Sequence, residues 1–274
     1  MLSCVADMGE PRALGQLLRS RRERLVPGDV GLPAGSRRRT PGLRREEVAQ
    51  LANLSATYYT FLEQGRPVRP SPQVLEALAD ALRMSPAERD YLETLAYGPP
   101  GAAADQPAPE QLDTRVTDLV RRLDPYPTYV KGRRWDVLAA NDAARELFTD
   151  WEALPSRDRN LVSWMFTSDR AREVYMEWET EARAMLARLR LAAARHPQDP
   201  DFLALIARLR RESEQVRQWW PAHDVLPIGL GSKKLLHQRL GPGDYTHVVL
   251  QVADNPEQTV VTFSLTLPEA RGPG

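Results

Sequence analysis

Cysteine is nearly absent from the 274 residues: Cys4 stands alone. An intrachain disulfide and a thiolate metal cluster are therefore excluded, and a reducing cytoplasm is the expected setting. Long apolar runs are missing too. None approaches the roughly 18 residues that span a bilayer, and no charged-then-apolar leader opens the sequence. No membrane association is expected. Catalytic signatures are also lacking. No glycine-rich phosphate loop follows a strand, and there is no G-x-S-x-G elbow. His196, His223, His237 and His247 are scattered without metal-ligand spacing. His223-Asp224 are neighbours in an extended segment, so their side chains point to opposite faces and share a proton poorly. The sequence thus predicts no enzyme, no metal and no cofactor.

Net charge is zero, with 37 basic and 37 acidic residues. The distribution is uneven. Between Arg12 and Arg45 lie ten arginines, no lysine, and only Glu23 and Asp29 against them, a local balance of +8. Arginine forks match phosphate oxygens bidentately, so the stripe reads as a backbone clamp on nucleic acid; the blander reading is a solvated helix face.

The stripe abuts the most informative stretch, Arg45 to Gly65. Val48, Leu51 and Ala52 recur at helical spacing, with Ala49 small where a second helix crosses. Asn53 suits a turn with positive φ, Ser55 caps a second helix, and Gly65 ends it. Tyr59 and Leu62 then point inward. This is the pattern of a helix-turn-helix reader rather than a plain helical hairpin. The expected DNA-binding residues are Arg37, Arg38, Arg39, Arg44, Arg45, Ser55, Ala56, Thr57, Tyr58, Thr60, Phe61, Gln64 and Arg66. Ala56, Thr57, Thr60 and Phe61 would face bases, where small or apolar groups suit thymine methyls. Gln64 and Arg66 would hold phosphates.

Around this motif the spacing predicts a first helix over Pro11–Val26, an Arg-rich loop over Pro27–Gly42, and helices opened by Ser71-Pro72 and Ser85-Pro86. Together they make a five-helix all-α domain over 1–97. A Pro- and Ala-rich linker follows at 98–110. The second domain, 111–274, is expected to be α+β. Its predicted elements are a helix at Leu112–Leu123, strands at Thr128–Lys131 and Arg134–Ala140, and a helix capped by Asn141. A long helix over Asp169–Arg195 and another from Asp199-Pro200 follow. Strands then run over Lys234–Leu240, Thr246–Val252 and Gln258–Leu267, the last alternating apolar and polar faces. Gly241–Asp244 and Asp254–Glu257 are the expected hairpin turns. Such an order suits an antiparallel sheet with helices over one face.

All six tryptophans lie in this second domain. Singly, each reads as ordinary core; as a set they suit a pocket, which apolar and aromatic side chains mainly line. Tyr129, Trp135, Phe148, Trp164, Phe166, Trp178 and Ala182 are the expected ligand-binding residues.

The string Gly31-Leu-Pro-Ala-Gly-Ser-Arg-Arg-Arg-Thr-Pro-Gly-Leu-Arg-Arg-Glu-Glu-Val-Ala49 is more specific than the helix pair. With Tyr129, Arg133–Asn141, Asn160-Leu161, Phe166-Thr167, Trp178-Glu179 and His223-Asp-Val225, it resembles the MmyB-like transcription regulators of actinobacteria, whose reader is of the Cro/repressor (XRE) type. The resemblance implies a PAS-like ligand-binding domain with a large helical insertion, a double-stranded DNA operator, a homodimer, and a small apolar or fatty-acid-like ligand. The segment Leu226–Gly231 departs from the family's more polar one. Two other functions remain in play: a ligand-independent repressor or antitoxin-like DNA binder whose second domain dimerises or docks, and an enzyme fused to a reader, which the lack of catalytic groups disfavours.

Overall fold

The computed structural model describes residues 11–33, 42–98, 110–226 and 231–266. Contacts divide the chain into two compact units, Met1–Gln106 with Arg190–Pro227, and Pro107–Leu189 with Ile228–Gly274. The expected linker lies almost wholly outside the described residues. No helix among those described is long and apolar enough to cross a membrane.

The first unit begins with helix α1, Pro11–Arg24, whose last turn carries Arg21, Arg22 and Arg24 against the negative end of its dipole. Helix α2, Arg45–Leu51, starts where the Arg44 amide donates to Glu47 Oε2 at 2.7 Å. Asn53 turns the chain at φ +53°, and Ser55 caps helix α3, Ala56–Glu63, by accepting the Tyr58 amide. Gly65, at φ +66°, follows the end of α3. Helices α4, Pro72–Ala81, and α5, Pro86–Tyr97, open at Ser71 and Ser85, each followed by proline, and Glu88 completes a capping box. Leu17, Leu18, Val48, Tyr59, Leu75 and Leu78 form the centre of the core. Leu191, Ala194 and Val225 belong to that same core, from a part of the chain about a hundred residues later.

The second unit is built on one antiparallel sheet of order β2-β1-β5-β4-β3. The strands are β1 Thr128–Lys131, β2 Val137–Ala140, β3 Gly231–His237, β4 Gly241–Val252 and β5 Asn255–Leu265. Helix α6, Thr114–Arg122, covers one face through Val120, which packs on Val130 and Val260. Helices α7, Asp142–Leu147, α8, Leu161–Thr167, and α9, Asp169–Val174, come between β2 and β3 in the chain. Asn141 joins sheet to helix: its Oδ1 accepts the Ala144 amide at 3.0 Å and the Thr128 amide at 2.9 Å. Helix α10, Trp178–Ala194, closes this run, and the division between the units falls inside it. Helices α11, Pro200–Glu212, and α12, Glu214–Trp219, are capped by Asp199 and Ser213 and belong to the first unit.

Several expected elements shift. The single helix over 169–195 is two, because Tyr175 leaves helical geometry to bridge Leu235 and the Met176 amide donates to the Lys234 carbonyl. Strand β2 starts at Val137, since Trp135 sits at φ +70° in a turn closed on Gly132. Gly241–Asp244 is not the hairpin turn but the start of β4, paired with His237 to Lys234. The turn is at 238–240, where the His237 Nδ1 accepts the Arg239 amide at 3.1 Å. The alternation expected along β5 fails at Thr259, Val260 and Val261, all buried, because that stretch has cover on both faces.

Candidate functional site

The reader is held from behind by ions. Arg22 in α1 meets Glu63 at the end of α3 through Nε–Oε2 at 2.7 Å and Nη2–Oε1 at 3.0 Å, and Arg45 Nη2 joins at 2.8 Å. Burial alone would raise the Glu63 carboxyl, but hydrogen bonds from both arginines outweigh it and hold it below its ordinary value. A Cβ on Gly15 would lie 2.4 Å from the Glu63 carbonyl oxygen, so only glycine lets α1 pass so close to α3. Tyr59 and Leu62 bury the inner face of α3.

The outer face stays open. Ala56, Thr57 and Gln64 are exposed, while Tyr58, Thr60 and Phe61 are half-buried. The Thr60 hydroxyl donates to the Ala56 carbonyl at 2.7 Å, which leaves its methyl and its oxygen lone pairs for a partner. The Arg66 guanidinium lies over the Phe61 ring, 4.1 Å from its centroid. Ser55 is a cap. Arg44 is exposed beside the start of α2, whereas the Arg45 fork is already held by Glu63. Arg37, Arg38 and Arg39 lie outside the described residues. Among the described arginines of the stripe, Arg21, Arg22 and Arg24 engage acidic partners within the chain.

In the second unit Tyr129, Phe148 and Trp164 come together on one face of the sheet. Phe148 is the hub, with ring centroids 6.0 Å from Tyr129, 6.1 Å from Trp164, 6.2 Å from Tyr175 and 5.3 Å from Phe263. Trp151 meets Trp164 at 5.5 Å. Phe166 and Trp178 lie edge to face at 6.1 Å, with Arg172 over the Trp178 ring. Trp135 takes Lys131 over its face at 4.1 Å. Ala182 is fully buried.

Polar groups also border these rings, among them His247, stacked on Phe263 at 5.6 Å. Lys233 pairs with Glu181, both largely buried. Burial and the neighbouring Arg188 pull the Lys131 ammonium down to about 8. Burial pushes the hydroxyls of Tyr175 and Tyr129 well above the usual phenol range. The indole N–H groups of Trp151 and Trp164 are buried without a hydrogen-bond acceptor. Tyr175, Phe263, Lys131, Arg188 and the Glu181–Lys233 pair were not among the expected ligand residues. For Phe263 the β5 alternation is the available signal; for the charged groups the sequence has none, because their neighbours lie on distant strands and helices.

An apolar, aromatic interior with a few fixed polar groups has the character of a small-molecule site, and an anchored helix with a free outer face has that of a groove reader. Family comparisons agree with both. Residues 13–92 match a helix-turn-helix domain, and residues 112–270, more than half of the chain, match the MmyB-like transcription regulator ligand binding domain. No curated protein gives a match. The chain belongs to the MmyB-like transcription regulators, DNA-binding proteins with a ligand-binding domain.

Proposed function

We propose that this regulator binds a specific duplex operator as a homodimer in the cytoplasm, and that a small apolar or fatty-acid-like molecule in the second unit alters that binding. The observation that carries the first half is α3, pinned by Arg22, Arg45 and Glu63 behind, with Ala56, Thr57 and Gln64 free in front. Ala56, Thr57, Thr60 and Phe61 would read bases; Arg44, Gln64 and Arg66, together with Arg37, Arg38 and Arg39, would hold phosphates. A dimer would place two such helices about 34 Å apart on one face of the duplex.

The ligand half is supported by the ring cluster around Phe148 and the indole donors of Trp151 and Trp164, which a ligand oxygen could accept from. Trp135, Phe166, Trp178 and Ala182 lie in the same unit and complete the candidate lining. Native mass spectrometry of the purified chain, alongside selection from a random duplex pool, tests both halves. A bound lipid-like mass and an enriched, thymine-containing inverted repeat are expected. The close ring spacings, 5.3–6.2 Å, favour one alternative, a solid domain that only dimerises or docks a protein; a protein that never carries a small molecule would establish it.

A further inference from the structure

Ala222, His223 and Asp224 present a row of oxygens to one face of α1. Ser20 Oγ donates to the Ala222 carbonyl at 2.7 Å, Arg24 Nη2 to the same oxygen at 2.6 Å, and Arg21 Nη2 to the His223 carbonyl at 3.0 Å. Arg24 also pairs with the Asp224 carboxylate. His223 Nε2 meets Gln16 Oε1 at 3.1 Å, with the histidine backbone at φ +54°. A non-glycine residue keeps such a conformation only where its surroundings over-determine it. From the end of α10, the buried Arg190 donates to the Trp220 and Asp224 carbonyls and stacks on the Trp220 ring. Val225 follows into the helix-turn-helix core.

This contact crosses the family assignments. Arg190 and 220–226 fall inside the segment matched as ligand-binding domain, yet they pack in one compact unit with the segment matched as reader. Helix α1 is gripped on two sides. Gly15 and Arg22 hold it to α3, while Gln16, Ser20 and Arg24, at i, i+4 and i+8 on another face, hold it to 222–224.

We propose that residues 220–226 with Arg190 form a latch that sets the position of α1 and, through it, of the reading helix α3. DNA affinity then depends on a contact made by the ligand-binding part of the sequence. Asp224 and Arg190 are positioning residues that act through α1. The latch is also covalently placed to report on the second unit: Arg190 follows Leu189 in α10, and β3 begins at Gly231. The functional half of this proposal rests on the DNA-binding reading above.

Full-length Asp224→Ala and Arg190→Gln test it. Hydrogen exchange is followed along α1, and affinity is measured at several salt concentrations for a duplex that the wild type selects. The latch predicts exchange over α1 faster by about tenfold or more. It predicts affinity lower by about fivefold or more with an unchanged salt slope, since no phosphate contact is lost. Asp224→Glu, which keeps the carboxylate, should recover much of both. Wild-type protection in β4 and β5 shows that each variant has folded; Val225→Ala replaces one that has not. Wild-type exchange along α1 overturns the latch whether or not DNA is bound. A reduced salt slope overturns it as well, by putting Arg21 or Arg24 on phosphates. If the wild type selects no duplex, the DNA-binding reading fails, and exchange alone decides the latch.

Discussion

Arg22 and Glu63 form a buried two-pronged ion pair, with side chains 4% and 1% exposed, that ties the first helix of the reader to the end of its recognition helix. Removing one partner of such a pair leaves the other charge buried alone. Glu63→Ala should therefore cost about 3–5 kcal/mol in denaturant unfolding. Because Glu63 titrates below its ordinary value, its contribution is present at neutral pH and is lost as acid protonates it below that value. Over that acid range the stability of the wild type should fall more steeply than that of Glu63→Ala.

Arg44 and Arg45 are neighbours with different expected roles. Arg44→Ala should leave stability unchanged and flatten the salt dependence of operator binding by about one unit of slope. Arg45→Ala removes a bond to the buried Glu63 and should mainly lower stability. The triple replacement of Arg37, Arg38 and Arg39 by alanine should weaken binding to every duplex and flatten the slope by about three units. Salt titrations of binding alongside unfolding curves separate these effects; an unchanged slope for both Arg44→Ala and the triple variant would contradict the phosphate assignment.

His223 in the latch is held neutral. Burial lowers its imidazole to about 3, and the cationic Arg190, Arg21 and Arg24 add to the effect, opposed by Asp224. Its ordinary value is 6.5, so between about 6.5 and 3 the unfolded chain takes up a proton that the folded chain refuses. Stability should thus be full above 6.5 and fall with acid, at up to about 1.4 kcal/mol per pH unit from this group. His223→Gln should flatten the pH dependence across that window, as thermal unfolding in a buffer series would show. An equally steep dependence in His223→Gln would mean that other groups carry it.

Ala182 is fully buried on α10 in the ligand-binding unit. If the interior takes a ligand, Ala182→Phe should fill the space, abolish retention of the lipid-like molecule in native mass spectrometry, and leave exchange in α1–α5 at wild-type values. In a solid core the same replacement would cost about 1–3 kcal/mol. Retention of the molecule at wild-type levels would remove Ala182 from the site.

Local signals made the reader legible. Asn53, Ser55 and Gly65 each act within a few residues of their position, and the structure places them at positive φ, at a cap and at positive φ, as expected. The same holds for Ser71, Ser85 and Asn141. What the sequence could not show depends on distant partners. Nothing near Tyr175 announces its bridge to Leu235, which breaks the expected long helix. Gly241-Pro-Gly-Asp244 has turn composition, yet pairing with β3 makes it strand while a histidine side chain holds the true turn. The arginines of α1 look like one basic surface until Glu88, Glu63 and Asp224 are seen to hold Arg21, Arg22 and Arg24. His223-Asp224 reads as an extended segment in sequence, whereas the fold sets His223 at φ +54° against α1.

In the proposed function, a molecule in the second unit changes how tightly the first unit holds DNA. Fluorescence anisotropy of the selected duplex, titrated with the chain as purified and again after extraction of bound lipid, measures it directly. Coupling between the sites predicts dissociation constants differing by roughly 5- to 150-fold, corresponding to about 1–3 kcal/mol. Identical titrations from a preparation shown to have carried and then lost its ligand would contradict it.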